Sequence, residues 1–292
     1  MSKIVSVIIP SLERQPILFN SLRDIVSLNY PNFEVIVVDQ SEKMIPGFED
    51  FIKKNKIKYI TPKEVGTSRA KNTGASAAKG EIIIFLDDDV RIKDKNFISN
   101  HVKNYDDSGV GGIGGRVLMD SDKPLSQIKE VGKFKYFGLK EITNFNADFR
   151  AEIDHVYGCN QSYRKSVFDK VGGFQLVYGG NAHLEEADLS LRVKEAGYKI
   201  YFDPKAVLEH LHVPFGGCRA KDEYELRYWL IHNATIFYLR HYNHALFLLY
   251  FLRQYAWAIL AFLKRWDTKM FKTMTGAIFD GVKYYEKISG KT

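Results

Sequence analysis

An apolar run that ends in three consecutive carboxylates constrains this chain more than any other feature: Ile82-Ile83-Ile84-Phe85-Leu86 is followed at once by Asp87-Asp88-Asp89. A short, continuously apolar, β-branched run suits a strand covered on both faces, as in a parallel sheet. Ligands of open α/β sheets sit outside the carboxyl ends of the strands. Three acids crowded there repel one another unless a cation or a donor network offsets them. A hard divalent ion bridging to phosphate oxygens would do so, and a solvated acidic loop is the plainer alternative.

The flanking sequence supports such a sheet. Val5-Ser6-Val7-Ile8-Ile9-Pro10 reads as a first strand stopped by Pro10, with a helix starting near Pro16. Glu34 to Asp39 repeats the pattern of an apolar strand ending in a carboxylate, and Lys58-Tyr59-Ile60 is a weaker third strand after a short helix at 47–55. Gly66 to Ala78 is a small-residue helix, with Thr67 or Ser68 as its N-cap, leading straight into the acidic strand. This alternation predicts a right-handed, parallel α/β sheet.

Beyond Asp89 the pattern loosens. Val110 to Leu118 is glycine-rich and strand-like, without the spacing of a dinucleotide fingerprint. Asp120 to Asp154 lacks periodicity and reads as a loop-rich insertion. Val156 to Tyr163 is a further strand, Ser166 to Val171 a short helix stopped by Gly172-Gly173, and Glu185 to Gly197 a helix with acids in its first turn, basic residues later and Gly197 as its stop. Tyr198 to Phe202 is the last strand, ended by Asp203-Pro204. Three aromatic helical stretches follow: Asp222 to Arg240, Ala245 to Arg265 and Met270 to Ile288.

With 45% hydrophobic residues the 292-residue chain can bury a sizeable core. The apolar run near Met1 is too short for a signal peptide, and Cys159 and Cys218 are expected as reduced thiols. The formal charge of +7 is concentrated at one end, since residues 240–292 hold nine Lys/Arg against three acids. Such a tail suits nucleic acid or an anionic membrane surface. The middle stretch is nearly long enough to span a bilayer, but Arg253 interrupts it, so an interfacial or core-packed helix is expected.

Several residues carry candidate chemistry. Asp39 would line the same crevice as the aspartates and accept from a base N–H. Arg69 and Asn72, three apart on one helix, face the same side, where Arg69 would pair with phosphate or with one of the aspartates. Glu185, Glu186 and Asp188 either favour a helix N-terminus or include a general base beside Gly179-Gly180. His210 and His212 alternate along an extended segment and should point to opposite faces, one of them completing a metal site or resting in the core.

Taken together, Val5 to Pro10, Glu34 to Asp39, Arg69-Ala70-Lys71-Asn72-Thr73-Gly74, Phe85 to Asp89, Gly158-Cys159-Asn160, Val171-Gly172-Gly173-Phe174 and Glu185 to Arg192 resemble the family 2 glycosyltransferases of GT-A fold. The resemblance covers about Val5 to His212. It implies an α/β catalytic domain at 1–215 (a nucleotide-sugar half at 1–119, an acceptor-binding and catalytic half at 120–215) and a helical C-terminal region at 216–292. It also implies inverting transfer from a UDP-, dTDP- or GDP-linked sugar to an acceptor hydroxyl, with Mn²⁺ or Mg²⁺. Pro10 and Arg14 would border the nucleotide with Arg69, Asn72 and Asp88, Asp39 would contact the base, and Asp87 would lie near the ribose. Asp89 would hold the metal, with Asp87 and His210 beside it. The family's Glu-Asp pair stands here as Glu185-Glu186, so Glu186 would be the base, with Glu185 as the other candidate. Asn160, Asp188 and Arg192 would lie on the acceptor side.

The expected acceptor is a saccharide or lipid-linked saccharide of surface-polysaccharide or glycolipid assembly, met in the cytoplasm or at the inner face of the plasma membrane. The basic tail would touch that membrane, cover the catalytic domain or form a homodimer contact; nucleic acid is not an expected partner. Two rivals are a sugar-phosphate nucleotidyltransferase, which lacks support because no glycine-rich Arg/Lys loop follows the first strand, and a non-catalytic nucleotide-sugar-binding or scaffold protein.

Overall fold

A computed structural model describes residues 2–119, 128–136 and 140–290. The first half alternates as its apolar periodicity requires: β1 (Val5–Ser11), α1 (Gln15–Ile25), β2 (Phe33–Asp39), α2 (Phe48–Lys54), β3 (Lys58–Ile60), α3 (Thr67–Ala77) and β4 (Ile82–Leu86). All five residues of β4 are buried, so the strand is covered on both faces. β5 (Val90–Arg91), α4 (Phe97–Val102), β6 (Val110–Leu118), β7 (Lys133–Lys135), β8 (Lys140–Ile142), β9 (Ala151–Glu152) and β10 (Asn160–Arg164) come next. The chain then forms α5 (Lys165–Lys170), α6 (Glu185–Glu195), β11 (Lys199–His210), α7 (Glu223–His241), α8 (His244–Arg265) and α9 (Thr268–Ser289).

The main sheet runs β3-β2-β1-β4-β10-β6-β11-β5, with β9 on β11. Strands β1 to β4 pair in parallel, and β10 enters antiparallel between β4 and β6. The direction of winding reverses at β1, which has β2 on one side and β4 on the other, so the crevice opens at Ser11 and Asp87 to Asp89. The sheet is mixed rather than wholly parallel. Asn160 explains why β10 fits there: its buried Nδ2 donates to the carbonyls of Arg116 and Ala206, both at 2.9 Å, so it cross-links β6 to β11. Gly115 makes room for that amide, since a Cβ on it would lie 2.3 Å from Asn160 Nδ2 and from the Ala206 carbonyl.

Four local expectations need correction. β11 continues through Asp203-Pro204 to His210, because a register shift between Asp203 and Val207 absorbs the proline's missing donor. α3 is preceded by Gly66 with no side-chain cap, the Ser68 hydroxyl being committed to Glu185. The strand expected at Val156 to Tyr163 begins only at Asn160. Of the expected insertion, 120–127 and 137–139 lie outside the described residues; the rest carries the antiparallel pair β7 and β8 and the short β9.

The helices α7 to α9 are not a loose tail. Ile236, Phe237, Tyr238 and Tyr250 join Tyr178, Ala182, Leu184 and Ala187 in one buried cluster across α6 and the loop before it. Trp229 lies flat on Gly179-Gly180, where a Cβ would come within 2.4 Å of the indole. The α7–α9 contact has its own core of Ile231, Met270, Met274, Ala277 and Ile278. α8 departs from the core-packed expectation: Tyr250 and Ala258 are buried, whereas Leu248, Leu249, Leu252, Trp257, Leu260 and Leu263 are exposed. By length and composition, His244–Lys264 is apolar enough to cross a membrane.

Candidate active site

The crevice at the ends of β1 and β4 is an open cleft of ≈ 230 Å³ whose walls include Pro10, Ser11, Arg14, Gln40, Thr67, Asp87, Asp88 and Asp89, closed from the far side by His210, His212, Cys218 and Arg219. Its acidic floor is held by donors. Asp88 accepts from Ser11 Oγ at 2.7 Å and from Arg14 Nη1 at 3.0 Å. Burial nevertheless pushes its carboxyl up to about 6, against the pull of these two donors. Asp89, fully buried, accepts from His210 Nε2 at 3.0 Å, the Val213 N–H at 3.0 Å and Arg14 Nη1 at 3.4 Å. Burial alone would raise Asp89, but His210, Arg14 and that N–H outweigh it and hold the carboxyl below its usual range.

Arg14 does a second job: its Nε and Nη2 donate to the carbonyls of Phe215 (2.6 Å) and Val213 (3.0 Å). The segment after β11 is thereby tied across the cleft. His212 adopts a left-handed backbone (φ +50°), which turns its ring onto that of His210 at 4.2 Å between centroids. Both rings face the cleft, contrary to the alternation expected of a continuous strand.

Oxygen and nitrogen ligands converge here. Asp87 Oδ2 lies 3.6 Å from His210 Nε2, and a ligand atom of each of Asp87, Cys159 and His210 falls within 4.8 Å of the others. Burial raises the Cys159 thiol well above its ordinary value, and the carboxylate and imidazole grouped with it suit Mn²⁺ or Mg²⁺. His210 Nδ1 is buried without a hydrogen-bond partner among the described residues.

Glu185 and Glu186, adjacent at the start of α6, are separated by their surroundings. Glu185 is buried with its carboxylate on Lys71 Nζ (2.7 Å) and on the Ser68 hydroxyl. Lys71 is held charged because Glu185, Asp87 and Glu186 outweigh its desolvation. The Glu186 carboxylate takes no part in that pairing, and burial together with the Glu185 charge lifts it to about 7. Its position relative to the acidic floor is set by two neighbouring residues. A Cβ on Gly158 would lie 3.9 Å from the Glu186 carboxyl and 4.0 Å from Lys71 Nζ, while Cys159 is in the group with Asp87 and His210. Consecutive Cα atoms are about 3.8 Å apart, so the carboxylate of Glu186 and the aspartate–histidine group flank one short stretch of backbone.

The other sequence candidates sit elsewhere. Asp39 is sealed below the cleft, accepting from Gln15 Nε2 and Tyr59 OH at 2.7 Å each and from Ser41 N and Oγ, so Gln40 rather than Asp39 lines the wall. Arg69 pairs outward with Glu64 at 2.9 Å. Asn72 binds the backbone of Phe174 with both ends of its amide. Asn160 is spent inside the sheet, as described. Asp188 is buried and accepts from Tyr178 OH, Arg192, Arg240 and His241. Despite its burial these partners hold its carboxyl far below the ordinary range. Arg192 also donates to the carbonyls of Val171 and Gly173. Asn160, Asp188 and Arg192, expected on the acceptor side, each have their polar atoms committed internally.

Lys71, Ser68 and Arg219 were missed. Only Lys71 left a trace in the sequence, as a charged residue among small ones at 70–78. Replacing Lys71 with Met should destabilise the protein by about 3–5 kcal/mol, because Glu185 would be left buried and unpaired. It should also move the pH dependence of catalysis upward, since Lys71 lowers the Glu186 carboxyl. Urea unfolding and a pH–rate profile check the two parts separately.

The mixed sheet with its acidic crevice defines a GT-A fold. Its likeness to solved structures is of the whole chain: S. aureus TarS 1-349 in complex with UDP-GlcNAc has a TM-score of 0.66 at 15% identity, covering 97% of this chain and 81% of that one. A mannosyltransferase, PcManGT from Pyrobaculum calidifontis, in complex with GDP-Man and Mn²⁺, has a TM-score of 0.59 at 16% identity, covering 97% and 76%. The model of glycosyl transferase family 2 matches residues 6–172, and the chain belongs to that family. A curated relative, the O-antigen chain rhamnosyltransferase WbaN of Salmonella anatum, is 29% identical over 162 residues, 54% of this chain. The chain matches 50% of that relative's own length.

Proposed function

We propose that this protein is an inverting, metal-dependent glycosyltransferase that moves a sugar from a nucleotide-diphosphate sugar to an acceptor hydroxyl. The observation that carries the reading is the placement of Glu186, a carboxylate lifted to about 7, across Gly158-Cys159 from Asp87 and His210, to which Asp89 is joined through its hydrogen bond with His210. Asp87, Asp89 and His210 would hold Mn²⁺ or Mg²⁺; when bound, that ion neutralises charge on the departing diphosphate as a Lewis acid. The Mn²⁺ and GDP-Man in the mannosyltransferase structure support this choice. Arg219 adds positive charge at the cleft wall.

Glu186 takes the proton from the acceptor hydroxyl as that oxygen attacks the anomeric carbon. A carboxyl near 7 is half ionised at neutral pH, which is the condition for an efficient general base. With the diphosphate at the Asp87/Asp89/His210 group and Glu186 across Gly158-Cys159 from it, attack would come from the face away from the leaving group, and a single displacement would invert that carbon. Lys71 and Glu185 orient the first turn of α6 and do not react. The relative named as an O-antigen chain rhamnosyltransferase supports a saccharide acceptor.

Thermal unfolding with UDP-, GDP- and dTDP-linked sugars, each with Mn²⁺, Mg²⁺ or chelator, tests the donor half. One donor class at 100 times its dissociation constant should add about 2.7 kcal/mol with metal and nothing with chelator. Stabilisation that survives the chelator removes metal dependence, and no stabilisation by any donor removes the transferase reading.

A further inference from the structure

A buried thiol stands beside the acidic floor and has no part in the transfer chemistry. β10 runs antiparallel to β4 with Asn160 opposite Leu86, so the residue before the one, Cys159, comes alongside the residue after the other, Asp87. β11 ends at His210. Three segments distant in sequence thereby bring a carboxylate, a thiol and an imidazole together: one ligand atom from each of Asp87, Cys159 and His210 lies within 4.8 Å of the other two.

A hard ion has little use for the sulfur. Mn²⁺ and Mg²⁺ are served by oxygen and nitrogen, whereas thiolate ligands select softer ions such as zinc. One sulfur, one nitrogen and one oxygen make a tetrahedral zinc set with its fourth position open. The imidazole is already oriented for it. Its Nε2 meets Asp89 at 3.0 Å, and a carboxylate on one ring nitrogen is the usual partner of a metal-binding histidine. With that nitrogen donating, Nδ1 keeps a lone pair, and Nδ1 is buried without a hydrogen-bond partner among the described residues. Tetrahedral bonds of about 2.0–2.3 Å place ligand atoms about 3.5 Å apart, so the group must contract by about an ångström. Asp87 can supply that movement, since its side chain is 35% exposed and lines the cleft, while Cys159 and His210 are packed. Lys71, a buried cation whose charge state Asp87 influences, is itself paired with Glu185 at 2.7 Å.

We propose that Asp87, Cys159 and His210 form a zinc-binding site whose occupation excludes the catalytic ion. Binding forms an S–Zn bond as the S–H bond breaks, and the thiol proton leaves to solvent. The site rests on the three side chains alone. Its inhibitory consequence rests on the transferase reading, because zinc takes Asp87 and His210 away from Mn²⁺ or Mg²⁺.

The full chain, stripped with chelator and then desalted, is titrated with Co²⁺ as a spectroscopic substitute for zinc. Cys159 and Cys218 are the chain's two cysteines, so a thiolate-to-cobalt charge-transfer band in the near ultraviolet reports on these sulfurs alone. The band should appear in the native chain and in Cys218→Ser, be absent from Cys159→Ser, and disappear on stoichiometric Zn²⁺ even with Mn²⁺ in excess. Competition with a chromogenic zinc chelator should show affinity at least about tenfold weaker in Cys159→Ser, since loss of an outer-shell partner alone costs about 10–100-fold. Cys159→Ala repeats the test with a smaller apolar side chain, and urea unfolding in chelator shows that the variants fold. No band in the native chain, a band that survives Cys159→Ser or vanishes in Cys218→Ser, or equal zinc affinity in native chain and Cys159 variants overturns the site. Mn²⁺-dependent donor stabilisation without zinc tests the transferase reading independently. Adding zinc should abolish that stabilisation, and its persistence at full zinc occupancy overturns the inhibition.

Discussion

Glu186→Gln is expected to reduce turnover by a factor of about 10² to 10⁴ while leaving metal-dependent donor binding intact, because a general base contributes on that scale and touches the acceptor rather than the donor. In the native enzyme the rate should rise about tenfold per pH unit below about 7 and flatten above it, as the carboxyl loses its proton. Stability should move the opposite way. The ordinary carboxyl value of 4.5 applies to the unfolded chain and about 7 to the folded one. Below 4.5 both forms are protonated and nothing is lost; between the two values the unfolded chain ionises first; above 7 the folded protein carries the full cost of a desolvated charge. Stability therefore falls as pH rises across this window. Glutamine removes the ionisation, so the variant should gain at pH 8, by at most about 3 kcal/mol, and gain little at pH 5. Urea unfolding at the two pH values checks this, alongside turnover. A Glu186→Gln protein with near-normal turnover would end its assignment as the base.

Asp89→Asn is expected to abolish transfer and metal-dependent donor stabilisation together, in contrast to Glu186→Gln. Asp89 is the fully buried acid on which His210, Val213 N–H and Arg14 converge. Its carboxyl is held below the ordinary range, so it contributes stability above about pH 4 that is lost as pH falls through the lowered folded value. The asparagine should consequently also lower unliganded stability at neutral pH, with a smaller difference in acid. Calorimetric titration of donor with Mn²⁺ decides the functional half. Undiminished, metal-dependent donor binding in Asp89→Asn would remove Asp89 from the metal site.

The contrast between the two variants follows from the fold's division of labour. The acidic floor follows β4, sealed by Arg14 and the segment after β11, whereas Glu186 belongs to α6, which is latched to α7 through Asp188, Arg240 and His241. The helical region thus does more than shield the catalytic domain. It fixes the helix that carries Glu186.

Much of this was legible in the chain itself wherever a feature is local. The period and apolar density of Val5–Ser11, Phe33–Asp39 and Ile82–Leu86 specify buried parallel strands, because such runs have no other place to hide from water. The position of Asp87 to Asp89 directly after the third of these runs places them at a strand end, hence in the crevice. Acids at the start of α6 and Gly197 at its close mark its boundaries.

What lay beyond local pattern is every pairing between distant residues. Glu185 and Glu186 are chemically alike and adjacent; they differ because Lys71 and Ser68, more than a hundred positions earlier, meet only the first. Asp188 and Arg192 looked equally available for an acceptor until α7 brought Arg240 and His241 onto them. His210 and His212 lie on one side because a single left-handed residue breaks the alternation that an unbroken strand imposes. Periodicity sets which face of an element is apolar; the charge state and freedom of a side chain depend on what the fold packs against it, and that is a sum over neighbours from the whole chain.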